Sequence, residues 1–266
     1  MSVAGTRPAS LPRWLSLFTA SVLLLLHLPL AVLVAFSFNA SKFSVEWTGF
    51  TLAWYERLFE RRDILRALRG SLLVGGASTV IAVVLGTLIA LALARHRFRG
   101  RRLYEGLLYM PIVTPEIVTG ISLLVLFVLL RVPLGLATVT IAHVAFSIPF
   151  VAVVVLARLS GMDEHLEEAA MMLGADEVTA FRRVTVPLLW PGILSGALLA
   201  FIMSFDDYVI TSFVAGSGSS TLPLVVYGMV RRNIEPSINA ISTLILAATV
   251  LLLYLAERLG RRAAAD

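Results

Sequence analysis

Residues 167–187 read EEAAMMLGADEVTAFRRVTVP, a well-formed amphipathic passage in an otherwise apolar chain, broken once at Gly174 and stopped at Pro187. Asp163 is placed to cap a first helix whose apolar stripe, Leu166, Ala169, Ala170 and Leu173, recurs at the three- and four-residue spacings that share one face. Gly174 permits a sharp turn. Asp176 then caps a second short helix bearing Val178, Phe181 and Arg182, and Pro187, which lacks an amide donor, ends it. The expected product is a helical hairpin over 163–187 with small alanines at its face of closest approach.

The flanking sequence says what solvent surrounds this hairpin. Of 266 residues, 58% are hydrophobic and 15% charged, against roughly half and a quarter in soluble domains. A bilayer is therefore the expected solvent. A crossing needs about 20 mostly apolar residues, because a helix rises about 1.5 Å per residue across about 30 Å of hydrocarbon. Six stretches qualify: 15–38, 72–94, 107–130, 132–157, 188–213 and 238–256. The fold class is all-α integral membrane with six transmembrane helices. The alternating ten-residue segments of a β-barrel are absent. The run from Leu15 is too long for a signal h-region and Ser37-Phe38-Asn39 is a poor cleavage site, so the first span is read as uncleaved.

Orientation follows from the arginines. With residues 1–14 cytoplasmic, inside segments hold 13 of the 22 basic residues, and the compact Arg95–Arg102 cluster speaks most strongly. Six of the nine outer basic residues fall between the first two spans, five of them in the outer loop 39–66 and the sixth at Arg69; in that loop Leu52, Tyr55, Leu58 and Phe59 share one face of an expected surface helix. The tail 260–266 is cytoplasmic on this reading. The net charge of +5 belongs to short arginine clusters between apolar runs, which read as topology signals and lipid-headgroup contacts, not as a nucleic-acid surface.

Glu168-Ala169-Ala170, three residues, Gly174, nine residues and Val184-Thr185-Val186-Pro187, flanked by Pro191-Gly192, resemble the "EAA" signature of ABC importer permeases; Val184 and Val186 stand where that family usually has Ile and Leu. The resemblance implies a type I ABC importer permease fold over 67–259, with the hairpin as the coupling element that fits a groove on the ATPase. Glu168, Ala169, Ala170, Gly174 and Pro187 would then serve coupling. It also implies a second permease subunit, a cytosolic ABC ATPase dimer and an extracytoplasmic solute-binding protein, in a cell inner membrane. The segment Ala67–Leu72 looks like the opening of the family's domain, with Gly70 where asparagine is frequent. Pro115–Phe127, Ser204–Val214, Leu222-Pro223-Leu224 and Tyr227–Val230 look most like the spermidine/putrescine permeases. Permeases similar to these also carry iron, opines, thiamine and sulfate.

Ionisable groups inside spans are expensive, about 2.5–3.5 kcal/mol at the centre on insertion scales. Here all the acidic and basic ones carry one sign. Glu116 lies near the middle of the third span, about 15 Å deep by helix rise, and Asp206 and Asp207 lie in the outer part of the fifth. No lysine or arginine falls inside a span, which favours a cation over an anion as cargo. Phe205 and Tyr208 are placed to add cation–π attraction. Two structural alternatives stand beside this: a protonated Glu116 satisfying the carbonyl that Pro115 leaves free, and Asp206-Asp207 terminating a helix or bonding a sister subunit. His27 and His143 read as packed or hydrogen-bonded span residues.

No catalytic site, metal site or cofactor is expected. Cysteine is absent, and no His-x-x-x-His, EF-type loop or Gly-x-Ser-x-Gly occurs. The only lysine, Lys42, follows Phe-Asn-Ala-Ser, so the chain has no phosphate loop and ATP hydrolysis belongs to a separate subunit. A secondary transporter is the main rival, since it too uses broken helices and midplane acids, but it has no need of the 163–187 hairpin. Reporter fusions after Arg102 and Ala175 should read cytoplasmic, and fusions within 42–69 and 216–235 external. An external signal at Ala175 would remove the coupling reading altogether.

Overall fold

The computed structural model describes residues 13–42, 46–163, 165–232 and 236–263; the ends of the predicted cytoplasmic termini, 1–12 and 264–266, lie outside the described residues. In chain order the helices are α1 (Arg13–Phe36), α2 (Ala53–Glu60), α3 (Arg62–Arg95), α4 (Arg101–Val113), α5 (Glu116–Leu129), α6 (Leu136–Leu159), α7 (His165–Met172) and α8 (Glu177–Ala180). A π turn at Phe181–Thr185 leads into α9 (Val186–Asp206), followed by α10 (Val209–Val214), α11 (Leu222–Arg232) and α12 (Pro236–Ala263). The chain divides into two compact units.

The first unit comprises Met1–Leu58 and Asn233–Leu246. In it, α1 is apolar on every side with none of its most apolar window buried, as lipid contact requires. Beyond α1 the loop is organised by Asn39, whose side-chain amide donates to the Glu46 carbonyl at 2.7 Å and whose Oδ1 accepts from the Thr48 amide at 3.0 Å. Trp54 donates its indole N–H to the Asn39 carbonyl at 2.7 Å. That bond turns α2, so the buried face is Trp54 and Leu58, one turn apart, while Leu52 and Phe59 are exposed. The predicted face of Leu52, Tyr55, Leu58 and Phe59 is corrected accordingly: the indole needs a partner and takes the inner position.

The second unit comprises Phe59–Arg232 and Ala247–Asp266, and its core is the packing of α3, α6 and α9 on one another. Helices in lipid approach through small residues. Here Val151 of α6 lies between two glycines: a Cβ on Gly86 of α3 would stand 2.8 Å from Val151 Cβ, and one on Gly196 of α9 would stand 3.3 Å from its Cγ1. Helix α3 begins at Arg62, ten residues before the predicted span, because Ile64, Ala67, Ser71 and Val74 continue its buried stripe outward while Arg62, Arg66 and Arg69 stay exposed.

Two predicted continuous spans are interrupted. The third, 107–130, is α4 and α5 meeting at 108°. Pro115 disfavours the helical conformation for the residue before it, and here Thr114 is extended at ψ 131°. The fifth, 188–213, ends as a helix at Asp206; Asp207 is extended at ψ 122° and the chain resumes as α10. Conversely, Pro187 does not end the hairpin. The helix runs on from Glu177 to Asp206 through the π turn, where the Val186 amide donates to the Phe181 carbonyl. A π turn just before proline leaves room for the ring that would otherwise strike the preceding turn.

The segment between α10 and α11 lies directly on its neighbours. A Cβ on Gly70 would stand 2.4 Å from the Ser220 carbonyl oxygen, and one on Gly216 would stand 1.9 Å from that of Leu134. Ser71 Oγ accepts from the Leu222 amide at 2.8 Å. Gly216→Ala sets a side chain against backbone that cannot rotate away, so a loss of about 1–3 kcal/mol or more is expected. Thermal aggregation of the detergent-extracted protein measures it, with Gly106→Ala, whose Cβ would meet nothing within 4 Å, as the unperturbed control.

Candidate functional site

The two helix interruptions face one cavity of about 420 Å3. From the α4–α5 corner come Thr114, Glu116 and Thr119; from α6, Phe146 and Phe150; from the end of α9 and its break, Ile202, Met203, Asp206, Asp207 and Tyr208. Glu116 is thus the first residue of α5 at a corner, not a mid-helix residue of a straight span. All charged side chains on the cavity wall are carboxylates. Phe205 is not on that wall: one residue before Asp206 on the helix, its ring stacks on Phe201 at 5.8 Å. Tyr208 lies against Tyr227 with ring centroids 4.1 Å apart, and the Arg231 guanidinium sits 5.5 Å from the Tyr227 ring.

The neighbouring aspartates have unlike surroundings. Asp206 is exposed and, among the described residues, makes no hydrogen bond or ion pair; the same holds for Glu116. The Asp207 side chain is only 6% exposed. Its Oδ2 accepts from the Thr211 amide at 2.7 Å and the Thr211 hydroxyl at 2.6 Å and lies 3.2 Å from His143 Nε2, while its Oδ1 accepts from the Ile210 amide at 3.3 Å. It therefore caps α10 and meets the freed amides at the break.

His143, read from sequence as a packed or hydrogen-bonded residue, is the central member of this network. Its Nε2 is also 2.9 Å from Thr211 Oγ1, its Nδ1 is 2.6 Å from Ser204 Oγ, and Ser204 Oγ is 2.9 Å from Ser78 Oγ on α3. A buried chain of polar groups thus joins α3, α9, α6 and α10. Sequence reasoning missed this cluster, although Ser204, Asp207 and Thr211, spaced by three and four residues in an apolar run, form the polar stripe that signals a buried partner.

The hairpin closes as a Schellman turn. Gly174 has φ +92°, its amide donates to the Met171 carbonyl at 3.0 Å, and the Ala175 amide donates to that of Ala170 at 3.1 Å. Asp163 Oδ1 accepts from the His165 amide at 3.0 Å, and Asp176 Oδ1 accepts from the Thr179 amide at 3.1 Å, so both acids cap as their positions indicated. Bonds from the Thr179 hydroxyl and amide hold the Asp176 carboxyl below the usual aspartate range, so this cap is fully formed at neutral pH and weakens only as pH falls through that lowered value. Glu168 is exposed and lies 3.2 Å from His165 Nδ1; Ala169 is exposed and Ala170 half-buried. At the tip, Met172 is 89%, Leu173 91% and Val178 62% exposed, an apolar knob without cover in this chain. Arg95, at the end of α3, binds Glu167 Oε1 at 2.5 Å and Thr185 Oγ1 at 3.3 Å, with Phe181 beneath it at 5.5 Å. It thereby holds both arms of the hairpin.

Among the described residues no group of three or more His, Asp or Glu side chains is arranged to hold a metal ion. The family described as "Binding-protein-dependent transport system inner membrane component" matches residues 82–264. The chain is 38% identical over 244 residues, 92% of each chain, to the spermidine/putrescine transport system permease protein PotC of Escherichia coli K12. It is 41% identical over 245 residues, 90% of this chain and 87% of the other, to the putrescine transport system permease protein PotI of the same organism. Among solved structures, a bacterial ABC transporter importing the acidic polysaccharide alginate superposes with TM-score 0.73 at 14% identity, covering 94% of each chain. An amino acid ABC transporter superposes with TM-score 0.62 at 20% identity, covering 80% of this chain and 100% of the other. An all-helical permease fold with a carboxylate-walled cavity and an EAA hairpin, together with a family match over more than half its length, makes this chain a member of the binding-protein-dependent transport system inner membrane components.

Proposed function

We propose that this permease forms, with a second permease subunit, the path by which a polyamine of the spermidine or putrescine kind crosses the inner membrane. The observation that carries the reading is the cavity wall: three carboxylates, Glu116, Asp206 and Asp207, and no basic side chain. An ammonium leaving water needs replacement charge and acceptors, since burial without them costs several kcal/mol or more. Carboxylates supply both. The N-termini of α5 and α10 at the same wall each bring a partial positive charge of about half a unit or less, too little to offset three acids. Names of the relatives point the same way.

Six crossings are assigned, made by α1, α3, the α4–α5 corner, α6, α9 with α10, and α12, with both termini cytoplasmic. The hairpin then lies in the cytosol, where its uncovered Met172, Leu173 and Val178 suit the groove of an ATPase dimer. An extracytoplasmic binding protein would deliver the solute to the opposite face.

Two experiments test this reading. Gly174→Val forces a β-branched residue into a left-handed conformation, at about 1–2 kcal/mol or more, and Ala169→Trp enlarges the docking face. Both variants should insert in the membrane yet fail to retain or stimulate the ATPase. Normal coupling in both would defeat the docking assignment. For the cavity, Asp206→Asn and Glu116→Gln each remove one charged contact, so KM for polyamine uptake should rise about tenfold, corresponding to about 1.4 kcal/mol. If the chain with Glu116, Asp206 and Asp207 all neutralised carries spermidine and putrescine at the wild-type rate, the carboxylates are structural and the cation reading is wrong.

A further inference from the structure

The sequence Asp206-Asp207 invites the reading of two equivalent stations, but the surroundings of the pair are unlike. An ionised carboxylate offers about four lone-pair directions. For Asp207, both directions on Oδ2 are filled, with the Thr211 amide, the Thr211 hydroxyl and His143 all crowded on it, and one of the two on Oδ1 is taken by the Ile210 amide. At most one direction remains for a solute. His143 itself is buried among Val139, Ala142 and Phe146 with its side chain 1% exposed, and its second nitrogen is taken by Ser204. Asp206 and Glu116 are exposed at the cavity and, among the described residues, unpaired.

We propose that His143 is a positioning residue of the pathway: it binds Asp207 into the protein and fixes the α9–α10 break, so that Asp206 and Glu116 make the direct contacts with the cation. This rests on the cation reading above and divides its labour. Asp207 contributes chiefly its bonds to the break. Through Ser204 and Ser78 the same chain reaches α3, so the position of the break relative to three helices depends on one imidazole. Members of a buried polar chain are energetically coupled, so single deletions within it do not add.

The test uses the complete transporter in proteoliposomes and separates KM from maximal rate. Asp206→Asn should act chiefly on KM. His143→Phe and Asp207→Asn should instead lower the maximal rate, by about fivefold or more, with KM within about twofold of wild type. The double variant should be no worse than the poorer single, because both remove the same bond, and His143→Gln, which restores a donor near the Nε2 position, should recover most of the rate. The chain has no cysteine, so Asp206→Cys and Asp207→Cys each provide a single thiol. A trimethylammonium-ethyl methanethiosulfonate should modify the first about tenfold faster than the second, as exposure dictates, and added spermidine should protect it. That labelling contrast needs neither transport nor His143→Phe to fold. If wild type carries neither spermidine nor putrescine while the contrast persists, the polyamine reading fails and the division between the aspartates stands. Equal labelling of the two thiols, or Asp207→Asn raising KM as Asp206→Asn does, overturns the proposal.

Discussion

A bilayer offers an interrupted helix nothing to bond to, so every amide and carbonyl released at a break must find its partner within the protein. This chain breaks twice in its apolar core and meets the demand with its own side chains. At the first break the Thr114 hydroxyl donates to the Met110 carbonyl at 2.7 Å, beside the backbone bond from its own amide at 3.0 Å. At the second, Asp207 takes the amides of Ile210 and Thr211. Polar side chains are thus concentrated where the backbone is irregular, and the carboxylate-walled cavity follows from that concentration.

The breaks hold their places because the surrounding helices are packed closely. Val151 between Gly86 and Gly196 brings α3, α6 and α9 together at one level. Gly120 on α5 does the same outside that trio: a Cβ there would stand 2.6 Å from the Phe213 ring of α10. Van der Waals contact is the main attraction between helices in lipid, so a bulge at any of these positions would shift the helix ends that carry Glu116 and Asp206.

Local rules in the sequence revealed the hairpin well. The turn at Gly174 and the caps at Asp163 and Asp176 each depend on neighbours within a few residues, and all three stand as read. Proline was a poorer guide. Pro29, Pro111, Pro149 and Pro191 all lie inside helices, whereas Pro115 makes a corner, and nothing local separates them. The carboxylates of the cavity were visible as charges in apolar runs, but their division was not. Whether Asp207 points inward depends on His143, 64 residues away on another helix. Phe205 stands apart from the cavity wall for a simpler reason: its place on α9 sets its ring against Phe201.

The persistence of helix through Pro187 bears on how the two ends of the molecule communicate. Had the helix ended there, a break would separate the hairpin from the cavity. Instead a continuous helix runs from Glu177 to Asp206, about 45 Å by helix rise. Its hairpin end carries the π turn that Arg95 touches at Thr185 and Phe181, and the same guanidinium reaches Glu167 on the opposite arm. An exposed ion pair alone stabilises by less than about 1 kcal/mol, so Arg95 does not make the joint rigid by its charge. Rigidity comes from the helix itself, whose next residue after Asp206 is bonded into the His143 network. Hairpin and cavity are thus joined by one continuous helix, which gives way to extended backbone only at Asp207, beside the exposed Asp206 on the cavity wall.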